Sequence, residues 1–199
     1  MLSGKKARGG FAGLALHEDS LRYLELERNG AGLRVTRQEF VPVPAGGVVK
    51  ESLQKVGMME RAFEDLKSQV GKFTYPIILG VPSRDVTLRL VEYPKMSMED
   101  IRDALSLEFE KYFPYPWAES AADIAEVELP IRDASAKSTV LVATCKLDYM
   151  RDLLRTAERA GIPIAAVEPM NVAFFRASTG PRARADAYFV VGVEPDVTH

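Results

Sequence analysis

With 199 residues, 47% of them hydrophobic and 27% charged, the chain is ordinary globular material, enough for one domain or two small ones. A formal net charge of -2 and a pI near 5.8 supply no overall basic field, so nucleic-acid binding has no electrostatic support. The single cysteine, Cys145, excludes an internal disulfide and any multi-cysteine metal site, and its apolar neighbours suggest a small buried residue in a reducing compartment.

No run approaches the roughly 18 to 20 apolar residues that span a bilayer. The basic start, MLSGKKARGG, is followed by a very short apolar run and then by Glu18 and Asp19, which fails as a signal peptide. The expectation is a cytoplasmic chain without direct membrane insertion, peripheral to an inner membrane through a partner.

Phe11 to Leu16 is a continuous apolar run typical of a buried strand. Glu18, Asp19 and Ser20 form a polar turn, and Leu21 to Glu27 reads as the returning strand. Asn29-Gly30, with Gly32 behind, is a strong hairpin signal, and Leu33 to Val41 makes a third strand. Pro42, Pro44, Gly46 and Gly47 mark a loop. Leu53, Val56, Met59, Phe63, Leu66 and Val70 then recur at helical steps, with Gly57 as a weak point costing about 1 kcal/mol relative to alanine. Tyr75 to Val81 reads as a buried strand. Val86, Leu88 and Leu90 alternate with Thr87 and Arg89, predicting a half-buried strand with those three apolar residues inward.

Ser97, three residues before Asp100, predicts a capped helix whose first turn carries Glu99 and Asp100 at the positive end of its dipole. Ile101, Ala104, Leu105, Phe109 and Tyr112 form its buried stripe, and Pro114 stops it. Ile124 to Leu129 and Thr139 to Cys145 read as strands around a polar turn. A helix from about Asp148 to Ala160 places Met150, Leu153, Leu154 and Ala157 inward, and Gly161 supplies its left-handed cap. Ile164 to Val167 is a short strand, and Glu168-Pro169 opens a helix through Phe174 and Phe175 to about Ser178. A charged loop, Pro181 to Asp186, precedes a last strand, Ala187 to Val193. The fold class is mixed α/β (α+β). The expected organisation is one discontinuous domain, residues 1–84 plus 162–199, interrupted by an insert at 85–161.

The chain offers little for catalysis. His17 and the terminal His199 are its two histidines, Cys145 sits mid-strand away from both, and no nucleophilic triad assembles. Neither a G-x-x-x-x-G-K-[ST] loop nor a G-x-G-x-x-G turn is present. Glu18 beside Asp19 reads as a solvated turn rather than a metal site. Phe109, Tyr112, Phe113, Tyr115 and Trp117 form an aromatic cluster around Pro114 and Pro116. Phe109 and Phe113 are expected to pack the helix onto its sheet. Tyr112, Tyr115 and Trp117, on a segment held extended by proline, are candidate anchors for a binding partner.

Several stretches, in order, resemble the type IV pilus assembly protein PilM family. They are Ile77-Ile78-Leu79-Gly80-Val81-Pro82-Ser83, Glu92-Tyr93-Pro94-Lys95-Met96-Ser97, Glu108 through Pro116, and Ala160-Gly161-Ile162-Pro163 followed by Val167-Glu168-Pro169. The resemblance implies an actin-like, RNase H-like first subdomain interrupted by a small α+β insert of the SHS2-like kind found in the cell-division protein FtsA. It also implies two nucleotide loops, and both depart from the family's pattern. In the first, an aspartate position holds Ala15 and a glycine position holds His17, while Ser20 and Arg22 keep polar or basic character. In the second, the aspartate becomes Gly192, the glycine becomes Glu194, and only Thr198 survives. Loss of both acids removes the metal-binding logic of phosphoryl transfer. The second half of an actin-like protein is expected to begin near His199, so this stretch carries no complete nucleotide cleft.

The reading these residues favour is a non-catalytic cytoplasmic adaptor without cofactor or metal. By resemblance it would hold the N-terminal cytoplasmic peptide of a single-span inner-membrane assembly protein in the groove between first subdomain and insert. Contact with the assembly motor ATPase and homo-oligomerisation stay open. Two alternatives stand beside it: the cytoplasmic part of a GspL-like type II secretion protein, and an actin-like ATPase using ATP and magnesium with a further half.

Overall fold

The computed structural model describes residues 9–30, 32–43, 56–127 and 137–178. The chain divides into two compact units, Met1–Ser83 with Asp152–His199, and Arg84–Arg151.

The first unit is built on a five-stranded sheet in the order β3-β2-β1-β4-β8. β1 (Gly10–Leu16), β2 (Ser20–Asn29) and β3 (Gly32–Pro42) form an antiparallel meander. Gly30 turns the second hairpin at φ 60°, a left-handed conformation that glycine adopts without steric cost. Opposite Glu25 and Leu26 the β2–β3 register slips by one residue, and the Thr36 hydroxyl donates to the Glu25 carbonyl at 3.3 Å there. β4 (Ile77–Val81) and β8 (Ile164–Pro169) run parallel to β1.

Period-two alternation sends Ala12, Leu14, Leu16, Leu21, Tyr23, Ile77, Leu79 and Val81 to one buried face. α1 (Val56–Val70) packs against β3 and buries Met59, Ala62, Phe63, Leu66 and Val70, spaced at three and four residues. Each such large side chain contributes about 1.5–3 kcal/mol by leaving water. Gly57 sits exposed in the first turn of α1, where it does not break the helix; Leu53 lies outside the described residues. One carboxylate is buried here. Glu25 accepts from the Tyr23 hydroxyl at 2.6 Å and from the Thr74 amide at 3.4 Å, joining β2 to the segment that follows α1.

The second unit is a three-stranded antiparallel sheet in the order β5-β7-β6, carrying one helix. Its elements are β5 (Thr87–Pro94), α2 (Met98–Glu108), β6 (Ser120–Glu126) and β7 (Lys137–Lys146). Ser97 caps α2 as expected, its hydroxyl accepting from the Asp100 amide at 3.1 Å. α2 stops at Glu108, earlier than the Pro114 stop expected, and a 3-10 turn covers Phe109–Lys111. The core joins Val91, Tyr93, Ile101, Leu105, Phe109, Phe113, Tyr115, Val140 and Val142.

The phase of β5 differs from its sequence reading. Val91 and Tyr93 face the core, whereas Leu90 is 57% exposed and Leu88 is half-buried. The core of this unit lies on the α2 side of the sheet, and only the Val91/Tyr93 face of β5 points there. Leu88 and Leu90 share the opposite face with Ala143 and Leu141, their register partners on β7.

The division between units falls within α3 (Leu147–Arg159). Near the two ends of the second unit, the Tyr149 hydroxyl donates to the fully buried Asp85 carboxylate at 3.0 Å. α3 ends in a glycine cap: Gly161 sits at φ 71°, its amide donates to the Glu158 carbonyl, and the Ile162 amide to the Ala157 carbonyl. The last element is α4 (Met170–Ser178). Glu168-Pro169 ends β8 rather than opening α4. The expected strand at Ala187–Val193 lies outside the described residues.

Candidate functional site

The β1–β2 turn holds the positions that the resemblance assigns to a first nucleotide loop. The His17 amide donates to the Ser20 carbonyl at 2.8 Å, leaving Glu18 and Asp19 exposed at the tip. Ser20 is fully buried, and its hydroxyl donates to the Asp19 carboxylate at 2.6 Å. The Arg22 guanidinium lies 3.4 Å from the same hydroxyl. The Ser20 hydrogen bond, helped by the charge of Arg22, holds the Asp19 carboxyl below its ordinary range.

The turn therefore presents two carboxylates, with its one hydroxyl already engaged. Ala15 stands in register between Arg22 on β2 and Gly80 on β4, with no oxygen to offer a metal. Among the described residues no cluster of three His, Cys, Asp or Glu side chains could hold an ion. This half of the loop pair does not fit a magnesium nucleotide: it lacks the glycine for close phosphate approach and the acid for the metal. Gly192, Glu194 and Thr198 lie outside the described residues.

A second feature escaped the sequence reading. Among the described residues, the face of the five-stranded sheet opposite the core and α4 line a groove of about 580 Å³. Phe11 (47% exposed), Phe40 (56%), Ile78 (39%) and Phe174 (39%) line it. The available signal was apolar residues on both phases of β1 and β2, such as Phe11, Leu24 and Leu26 beside Leu14, Leu16 and Leu21. A strand covered on one side only would alternate with polar residues.

On the second unit, the aromatic segment packs largely on itself. Phe109 stacks against Phe113 with ring centroids 4.4 Å apart, and Trp117 meets Phe109 edge-on at 5.1 Å. Of the three candidate anchors, Tyr115 is 8% exposed, and its ring belongs to the core of the unit, 6.4 Å from that of Phe109. It was expected to stand partly exposed; instead the ring turns inward, where its hydroxyl comes within 3.5 Å of Thr144 Oγ1. Tyr112 and Trp117 are half-buried and keep an accessible edge. The Tyr112 hydroxyl reaches toward the Glu108 carboxylate at 3.5 Å, and the Lys111 ammonium donates to Glu108 at 2.7 Å. That ammonium bond is the main reason the Glu108 carboxyl lies below its ordinary range.

The family described as type IV pilus assembly protein PilM matches residues 13–181, most of the chain. The chain belongs to that family. Among solved structures, a PilM-PilN type IV pilus biogenesis complex aligns with a TM-score of 0.71 at 19% identity, covering 84% of this chain and 49% of that one. The cytoplasmic domain of EpsL, an inner-membrane component of the Vibrio cholerae type II secretion system, aligns with a TM-score of 0.58 at 15% identity, covering 84% and 60%. This PilM-family chain thus has the actin-like fold, and it spans about half to three-fifths of the length of those two chains. Among the described residues, no helix is long and apolar enough to cross a membrane.

Proposed function

We propose that this PilM-family chain is a non-catalytic cytoplasmic adaptor of a type IV pilus or related assembly machine. Its ligand is the N-terminal cytoplasmic peptide of a single-span inner-membrane partner. The observation that carries this reading is the β1–β2 turn: in a family with an actin-like fold, Ala15 and His17 replace the acid and the glycine, and Glu18 and Asp19 stand exposed where a triphosphate would be repelled. Two negative side chains next to a polyanion cost binding free energy, and among the described residues no cluster of three His, Cys, Asp or Glu side chains stands ready to hold an offsetting metal ion. What remains useful on such a scaffold is its surface. Tyr112 and Trp117, rigidly based and half-exposed, are the residues proposed to anchor the peptide. The PilM–PilN complex among the similar structures agrees with a partner of this kind.

The test is calorimetric titration of this chain with the N-terminal cytoplasmic peptide of the single-span membrane protein encoded beside it, and separately with magnesium ATP. Saturable micromolar peptide binding, lost in Tyr112→Ala, with no heat from the nucleotide, is the expected result. Nucleotide binding that depends on magnesium would turn the reading into that of an ATPase. The lower-scoring likeness to EpsL keeps a type II secretion role as second reading; a transmembrane segment encoded downstream in the same gene would select it.

A further inference from the structure

We propose that Glu108 is the positioning residue for the peptide anchor Tyr112: its carboxylate, shared among Lys111, Tyr112 and Tyr93, sets the direction of the Tyr112 ring before the peptide arrives. This role rests on the adaptor reading and adds to it the group that makes one anchor rigid. Every residue involved lies within the second unit.

The two half-exposed anchors are held differently. Trp117 stands edge-on against the buried Phe109 ring at 5.1 Å. Tyr112 has a fixed backbone, since its amide donates to the Phe109 carbonyl at 3.0 Å across the 3-10 turn. Its side chain has less to rest on. The Phe113 ring lies 6.5 Å away, toward the far end of the range for aromatic pairs. Among the described residues, the hydrogen-bond partner of its hydroxyl is Glu108. A half-buried side chain that is ordered only on binding loses affinity to that ordering, so a group that fixes it beforehand tightens the complex.

Glu108 ends α2, where the helix gives way to the 3-10 turn. Side chains three and four residues ahead lie on the same side of a helical turn. Glu108 accordingly accepts from the Lys111 ammonium at 2.7 Å through Oε2 and from the Tyr112 hydroxyl at 3.5 Å through Oε1. The ammonium holds one oxygen, and the other faces the phenol. The buried Tyr93 hydroxyl on β5 stands beside the same carboxylate as a third donor, outside the geometry of a full hydrogen bond. The carboxylate therefore links the ring of Tyr112, at the edge of the unit, to a strand in its core. At 3.5 Å the Tyr112 contact is long for a hydroxyl donor. Covering it from water strengthens a bond to a charged acceptor, so peptide burial and the Glu108–Tyr112 contact reinforce each other.

The test is a double-mutant cycle, read by calorimetric titration of the 199-residue chain with the N-terminal cytoplasmic peptide of the neighbouring membrane protein. Glu108→Ala should weaken binding by about three- to tenfold. In a Tyr112→Phe background, where the hydroxyl it acts on is gone, the same change should weaken binding by less than about twofold. Without peptide, the ring NMR signals of Tyr112, assigned by their loss in Tyr112→Phe, should shift in Glu108→Ala. Should the alanine variant fail to fold, Glu108→Gln, of the same size, repeats the cycle with the same signs expected. Equal losses in both backgrounds, or unshifted Tyr112 signals, overturn the positioning role. So does unchanged binding in Glu108→Ala when the wild-type chain binds, which leaves the adaptor reading standing. A wild-type chain that does not bind the peptide overturns the adaptor reading and this role with it.

Discussion

Phe109→Ala tests how the second unit is held together. Phe109 is 1% exposed and lies against Phe113, Tyr115 and Trp117, with ring centroids 4.4, 6.4 and 5.1 Å away. Truncating it removes the transfer free energy of a buried ring and leaves a cavity, together about 3–5 kcal/mol. Each lost aromatic pair adds roughly 0.5–1.5 kcal/mol where the geometry is edge-on or offset, and the upper half of the range is expected here. With a urea dependence of about 1.5 kcal/mol per molar, the midpoint should fall by about 2.7–3.3 M. Trp117 is the single tryptophan of the chain and touches the deleted ring, so its emission reports unfolding of this unit directly. Leu107→Ala is the control: Leu107 lies on the same helix but is 90% exposed, and its truncation should change stability by less than about 0.5 kcal/mol. If Phe109→Ala costs under 1 kcal/mol, or shifts no more than Leu107→Ala, the aromatic cluster is not the core of this unit.

Three further outcomes are expected. Tyr149→Phe removes a hydroxyl donor to the buried Asp85 carboxylate and should cost about 1.5–3 kcal/mol in urea unfolding at neutral pH. Burial, then the Asp85 charge, pushes the Tyr149 phenol above its ordinary value, so its contribution is full below pH of about 10 and is lost as pH rises beyond that, by up to about 1.4 kcal/mol per pH unit. Stability measured at pH of about 10 and 11 should therefore fall less steeply in Tyr149→Phe, and parallel slopes would refute the coupling. Ser97→Ala deletes the α2 cap and should cost about 1 kcal/mol, with helicity lost near the N-terminus in amide exchange. Gly30→Val forces a β-branched residue into φ 60° and should destabilise the first unit by at least about 1–2 kcal/mol in thermal unfolding, whereas Gly57→Ala, at an exposed helical position, should stabilise it slightly.

Where a feature is coded within a few residues, the sequence alone determined it. The Asn29-Gly30 turn, the Ser97 cap and the Gly161 cap each depend on one backbone conformation or one short hydrogen bond, and all three stand where the residues indicate. The spacing of Met59, Phe63 and Leu66 likewise named the buried stripe of α1, and the ordered motifs from Ile77 to Pro169 indicated the family.

Tertiary structure decided which faces are covered. β5 carries apolar residues on both phases, and only the position of α2 makes Val91 and Tyr93 core while Leu90 meets solvent. Tyr115 lies between two prolines, but the direction of its ring depends on Phe109 and Thr144, distant in sequence or on another element. The groove beside α4 is a property of the whole sheet: Phe11, Phe40, Ile78 and Phe174 come from four elements and meet only when β3, β1 and β4 pair through their neighbours. Periodicity shows that a strand or helix has an apolar face. Which layer, if any, buries that face depends on elements far along the chain, so only the folded arrangement separates a core face from an exposed one.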